Sequence, residues 1–187
     1  MIHKQKKTNL VWVDLEMTGL DPKKCTILEI GVIVTDSELN VIAEGPFIAI
    51  HHSEKVLKSM EAWSRYHHKK SGLTDACRES KFSLKKAEQR VLDFVKQHCH
   101  AKTAPLCGNT IWQDRRFLVK YMPKLESYLH YRVIDVSSVK ELVERWYEHK
   151  MPRVKHQTHR VAEDIRESIE ELRYYRGKVF ATRLHKK

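Results

Sequence analysis

No run in this 187-residue chain approaches the roughly 18 consecutive apolar residues of a membrane-spanning helix, so no part of it is expected to enter a bilayer. Cysteine is scarce. Cys25, Cys77, Cys99 and Cys107 show no Cys-x-x-Cys spacing, which argues against structural zinc and for reduced thiols. The start, Met1-Ile-His-Lys-Gln-Lys-Lys-Thr8, is basic and lacks the apolar core of a secretory signal. Internal repeats, low-complexity tracts and evident linkers are also missing. These absences lead to the expectation of a soluble, cytoplasmic protein with one domain over 1–187. A basic arm covers about 1–8 and a basic tail about 177–187.

What the chain has in excess is positive charge. Its 35 Lys and Arg against 24 Asp and Glu give a formal net charge of +11, which favours polyanionic partners, nucleic acid first. A hydrophobic fraction of 41% excludes global disorder, and the length suffices for a sizeable core.

Hydrophobic periodicity divides the chain into elements. Leu10 to Leu15 reads as a strand. Ile27 to Thr35 and Val41 to Ile50 are β-branched runs joined by Asp36-Ser-Glu-Leu-Asn40, the pattern of an antiparallel pair. From Ser83 the spacing of Leu84, Ala87, Val91, Leu92 and Val95 predicts a helix. A short strand at 105–107 leads into a helix from about Gln113, broken near Pro123. Arg132 to Asp135 predicts another short strand, and Ser137 is placed to cap a helix reaching about His149. Met151 to Thr158 reads as a polar loop. The last helix is expected from about Arg160 to Arg176, with Ala162, Ile165, Ile169 and Leu172 on one stripe. Three strands followed by alternating helices and short strands predict an α/β domain with a mixed sheet.

The chemistry is concentrated in carboxylates. Asp14 and Glu16 end an apolar run, Leu10 to Leu20, and at i and i+2 on a strand they share one face. Burying like charges side by side is costly unless a positive charge neutralises them. The run holds no Lys or Arg, so a divalent cation is the economical partner. Asp114, in Gly-Asn-Thr-Ile-Trp-Gln-Asp, and Asp164, in His-Arg-Val-Ala-Glu-Asp, add two hard oxygen donors, and His159 adds an imidazole. Phosphodiester hydrolysis needs a nucleophile, charge stabilisation at phosphorus and a neutralised leaving oxygen, all of which two divalent ions about 4 Å apart can supply. Asp14 suits a bridging position, with Glu16 and Asp164 on one ion and Asp114 supporting the other. His159 and Asp164 would lie about 140° apart on a regular helix. The workable arrangement keeps Asp164 helical and puts His159 before it on the polar loop, as a general base. Each member has a plainer reading: Asp114 as a helix cap, Asp164 paired with Arg160 or Arg166, His159 as a solvated side chain.

Asp-x-Glu on a first strand, a later Asp, then His-x-x-x-x-Asp resembles the exonucleases named for four acidic residues and a histidine. The flanking text narrows the likeness. Trp12-Val-Asp-Leu-Glu-Met-Thr-Gly-Leu-Asp-Pro22, Cys107-Gly-Asn-Thr-Ile-Trp-Gln-Asp-Arg-Arg-Phe117 and Asp164-Ile-Arg-Glu-Ser168 resemble the oligoribonuclease family over about Asn9 to Arg176. That resemblance implies a ribonuclease-H-like fold of exonuclease type and a homodimer that degrades short RNA from the 3′ end, especially dinucleotides, with Mg²⁺ or Mn²⁺. It implies metal ligation by Asp14, Glu16, Asp114 and Asp164, with His159 as base. It further implies that Leu20 wedges against the bases, that Trp63 and His68 hold the 3′ nucleotide, and that Thr110, Tyr131, Arg132 and Ser137 surround the 5′ phosphate. Tyr131, Arg132 and Ser137 would act from the neighbouring subunit. Two positions depart from the family pattern. Thr110 replaces a usual Ser and keeps its hydroxyl; Trp112 replaces a small Gly, and its ring bears on the dimer partner or the substrate entrance. The alternatives are a related exonuclease acting on longer RNA ends or single-stranded DNA, and a catalytically silent RNA-binding protein.

Overall fold

A computed structural model describes residues 8–147 and 160–180. Strand β1 (Leu10–Met17) alternates: Val11, Val13 and Leu15 turn to one face of the sheet, Trp12, Asp14 and Glu16 to the other. β2 (Ile27–Thr35) is buried along its whole length, which accounts for its nearly unbroken apolar sequence. It pairs antiparallel with β1 and with β3 (Val41–Ala49). The β2–β3 turn is held by Asp36, whose Oδ1 accepts the N–H groups of Glu38 and Asn40 at 2.8 and 2.9 Å. β4 (Leu106–Gly108) and β5 (Val133–Asp135) add in parallel, giving the order β3-β2-β1-β4-β5. The mixed sheet expected from the sequence is therefore present.

Two layers of helix cover it. On one face α4 (Leu84–His98), α5 (Ile111–Tyr121) and α6 (Pro123–Tyr128) bury Val91, Val95, Phe117, Leu118 and Leu125 against Val11, Val13, Ile30 and Val32. On the other, α7 (Val136–Trp146) and α8 (Val161–Lys178) pack Val143, Ile165 and Ile169 on Trp12, Ile33 and Cys107. Of three short helices, α1 (Glu54–Lys58) and α3 (Leu73–Glu79) close over Leu28 through Leu57, Leu73 and Cys77, joined by Met60 from the link after α1, while α2 (Ala62–Lys70) buries Ser64 and His68. The periodicity did not announce these three, because helices of so few turns carry no sustained stripe.

The helix expected from Ser83 is present as α4, and Ser83 caps it, its Oγ accepting the Lys86 N–H. Ser137 does not cap α7. The cap is Asp135, an extended residue whose carboxylate accepts the Ser137 N–H at 3.0 Å; Ser137 already lies in the first turn and serves as donor. In the last helix Ile165 and Ile169 are buried as anticipated, joined by Val161 and Ser168 rather than by Ala162, which is only half-buried. The loop expected at Met151 to Thr158 lies outside the described residues. Among the described residues no helix is long and apolar enough to cross a membrane.

Candidate active site

The site lies on the α8 face of the sheet, and glycine creates its depth. Asp14 on β1 stands opposite Gly31 on β2, and Glu16 stands opposite Glu29. A methyl group on Gly31 would lie 2.8 Å from Val161 Cγ2 and 3.0 Å from Ile165 Cδ1, so only glycine lets the first turn of α8 descend onto the sheet here. That approach brings Asp164 beside the strand pair. Asp14, Glu16 and Asp164 each present an oxygen within 4.8 Å of the others.

Asp114 approaches from the other side, close enough to act on Asp14 and Glu16 but outside the 4.8 Å group. Strand β4 ends at Gly108, where the chain turns into α5, so the Leu15 N–H has no strand partner there. Asp114, in the first turn of α5, accepts that N–H through Oδ1 at 3.0 Å. Its carboxylate thus spans from helix to strand while also accepting its own backbone N–H, and the N-cap of α5 is Thr110. The close β4–α5 connection rests on Gly108, where an added methyl would meet Ile111 at 2.8 Å and the Val13 carbonyl at 2.9 Å.

Burial and mutual repulsion make this cluster proton-hungry. Burial pushes Asp14 well above the ordinary carboxylate range, and Asp114, Glu16, Asp164 and Glu29 push in the same direction. Glu16 is pushed up to about 9, first by burial, then by Asp164, Glu29 and Asp114, with Arg160 offsetting a little. Burial lifts Asp114 to about 7 against the opposing hydrogen bond from Leu15. The arginines close in sequence to Asp164 are directed elsewhere. Arg160 grips Glu29, with three nitrogen–oxygen contacts of 2.6 to 3.1 Å, and Arg166 bonds Glu44. An all-carboxylate set of converging hard oxygens, costly to ionise in isolation, fits a divalent cation.

Around the carboxylates the other expected residues fall into three groups. Leu20 and Trp63 are 64% and 60% exposed, apolar surfaces open to a ligand. The Leu20 turn is tied to α5 by Gln113, whose amide donates to the Leu20 carbonyl. His68 is different: it is buried, its Nε2 is 2.9 Å from the Met17 carbonyl oxygen, and its Nδ1 is 3.8 Å from Glu16 Oε2. Thr110 and Ser137 come together through Asp135, which accepts from the Thr110 N–H at 2.9 Å and from the Ser137 hydroxyl at 2.6 Å. Tyr131 is exposed, with the Arg132 guanidinium 5.4 Å from its ring centre. Trp112 is likewise exposed, under the Arg116 guanidinium at 5.6 Å. His159 lies outside the described residues.

Three residues of this neighbourhood were missed from sequence. Asp135 had a usable signal, an Asp directly before a helix. Glu29 had one too, a lone acid within the apolar run Ile27 to Thr35. Gln113 had none.

A mixed sheet with carboxylates from its first strand, a central helix and its last helix defines a ribonuclease-H-like exonuclease domain. The Exonuclease family model matches residues 11–172. Solved structures of exonuclease I share this fold. The zinc-bound form of the Escherichia coli exonuclease I–single-stranded DNA complex gives a TM-score of 0.71 at 16% identity, covering 92% of this chain and 41% of that one. The apo form of exonuclease I gives 0.69 at 15% identity. The chain therefore spans about two-fifths of those larger proteins. Similarity to the oligoribonuclease of Shewanella loihica is 58% identity over 93% of this chain and 97% of the relative. The oligoribonuclease of Dichelobacter nodosus is 52% identical over 94% and 97%, and the probable oligoribonuclease of Dictyostelium discoideum 52% over 94% and 93%. The chain belongs to the oligoribonuclease family.

Proposed function

We propose that this 3′→5′ exoribonuclease acts on RNA oligomers of two to a few residues, dinucleotides above all, and releases nucleoside 5′-monophosphates. The observation that carries the proposal is the convergence of Asp14, Glu16 and Asp164 from a strand and a distant helix within 4.8 Å. These three, with Asp114 beside them, would hold two divalent cations, Mg²⁺ or Mn²⁺. Such ions, when bound, neutralise the phosphate and leaving-oxygen charge and favour ionisation of water.

The chain's own residues do the rest. His159 takes the proton of the attacking water, a task suited to an imidazole titrating near neutrality. Leu20 and Trp63 offer apolar surface for the bases, base–aromatic stacking being worth about 1–3 kcal/mol. His68 meets the 3′ nucleotide at the buried end, beside Glu16. Thr110 faces the 5′ phosphate. Tyr131, Arg132 and Ser137, the last oriented by its own Asp135, complete that cap from the neighbouring subunit of a homodimer, where a planar guanidinium can meet phosphate oxygens in pairs.

The test is kcat/KM for 5′-phosphorylated RNAs of increasing length, with and without EDTA. The dinucleotide is expected to be best and EDTA to abolish turnover. Loss of the phosphate contacts, at about 2.7 kcal/mol, would lower kcat/KM for longer chains roughly a hundredfold. A level or rising kcat/KM from two to about ten nucleotides would overturn the capped site and leave a general single-strand exonuclease.

A further inference from the structure

The turn after β1 carries Leu20, and α5 holds both of its limbs. The far limb is fixed at the end of that helix: Lys120 Nζ donates to the Pro22 carbonyl at 2.6 Å, and the Tyr121 hydroxyl donates to the Cys25 carbonyl at 2.5 Å. The near limb is fixed at its start. Gln113 is buried and sends its amide across to the Leu20 carbonyl. The Leu20 side chain stands well out in solvent, so its place is set through this backbone anchor.

A carboxamide has a donor end and an acceptor end, and only the donor end can hold a carbonyl. Arg116 decides which end faces Leu20. Its Nη1 donates to Gln113 Oε1 at 2.8 Å, and a guanidinium has no acceptor to offer, so the amide NH₂ is directed to Leu20. The Arg116 guanidinium lies 5.6 Å from the centre of the Trp112 ring, a cation–π contact on the exposed side of the helix. Residues 112 and 113 are i,i+4 and i,i+3 neighbours of 116 within α5, so one helical turn assembles the whole relay. The same turn carries Asp114, whose carboxylate accepts the Leu15 N–H. The exposed leucine and the carboxylate are thus referred to one rigid element.

We infer that Gln113, oriented by Arg116 with Trp112 behind it, is a positioning residue that holds Leu20 against the substrate bases in register with Asp114. This rests on the reading of Leu20 as a surface for the bases given above. Gln113 acts through Leu20 and not on the reacting phosphate.

The test is a double-mutant cycle on kcat/KM for a 5′-phosphorylated RNA dinucleotide. Leu20→Ala and Gln113→Met, which keeps length and removes the amide, are each expected to lower it about tenfold. The double variant should fall no more than about twofold below Leu20→Ala, whereas independent effects would multiply to about a hundredfold. On a 5′-phosphorylated dinucleotide analogue lacking both bases, Gln113→Met should match the parent, since Leu20 then has nothing to meet. Mn²⁺ affinity, followed by electron paramagnetic resonance, should stay within about threefold of the parent in Gln113→Met, because Asp114 keeps its place. Multiplying losses, an equal loss on the base-free analogue, or a larger fall in Mn²⁺ affinity would each overturn the proposal. If Gln113→Met does not fold by far-ultraviolet circular dichroism, Arg116→Met, at an exposed position, is read against the same outcomes with a loss of about threefold. Two further results separate this relay from the reading beneath it. If Leu20→Ala cleaves the dinucleotide like the parent, the role of Leu20 itself fails. If Leu20→Ala loses activity while Gln113→Met and Arg116→Met behave like the parent, only the positioning by Gln113 fails.

Discussion

The two faces of β1 are built from alternate residues of one strand and do opposite things. Val11, Val13 and Leu15 face α4, α5 and α6 and bury hydrocarbon, the main favourable contribution to folding. Asp14 and Glu16 face α8 and gather negative charge where the sheet is only partly covered. The first face makes the second possible: a sheet anchored on one side can hold a repulsive cluster on the other. Towards the end of β1, past the buried Trp12, stability and chemistry divide by strand parity, and each can be perturbed at its own residues.

The largest effect should come from the acidic face. Asp14→Asn keeps size and removes a charge, and is expected to cost about 4 kcal/mol of transition-state stabilisation, roughly a thousandfold in kcat. Metal-free stability should stay level or rise as repulsion falls, which a thermal melt in EDTA would register. Near-normal turnover at saturating Mg²⁺ would contradict the assignment.

The second contrast is in pH. Glu16 and Asp114 are held above their ordinary values, at about 9 and about 7, so the folded chain binds protons more tightly than the unfolded one. Their contribution favours folding below about pH 4 and is lost as pH rises towards 7 and then 9. The melting temperature in EDTA should fall through that window, and the slope should flatten in Asp14→Asn. Excess Mg²⁺ should reverse the slope, because the cation needs the deprotonated carboxylates.

On the apolar face Ile30→Ala should lower unfolding free energy by about 2–5 kcal/mol, measured in urea. The folded fraction should keep its kcat, in contrast to Asp14→Asn. The smallest effect tests the contact between the faces. Gly31→Ala sets a methyl against Val161 and Ile165, and is expected to cost about 1–3 kcal/mol by overpacking. Because α8 must lift away from Asp14, Mn²⁺ affinity should fall with it; unchanged affinity would mean that Asp164 does not depend on that approach.

Much of this was legible in advance where a signal was local. The β-branched runs at Ile27–Thr35 and Val41–Ile50 declared an antiparallel pair, found one residue shorter at its second strand, and Asp36 to Asn40 declared its turn. The helices α4 and α8 were visible in their apolar spacing. The short helices α1 and α3 were not, because their order comes from a shared contact with Leu28 rather than from a stripe. Asp135 was overlooked in favour of Ser137, although both are capping residue types; which one is extended at the helix start is a backbone matter.

By itself the sequence determined the parity of β1, and with it that Asp14 and Glu16 must share a face, since side chains on a strand alternate whatever surrounds them. It also determined the residue types from which a cation site can be made. Only the tertiary structure decided that Asp164 joins them, through the gap left at Gly31, and that Asp114 reaches across to the Leu15 N–H. It alone decided that Arg160 answers Glu29 and not Asp164. Local spacing permits either partner. The choice falls to burial, because a charge enclosed in the sheet has no water to turn to and takes the guanidinium first.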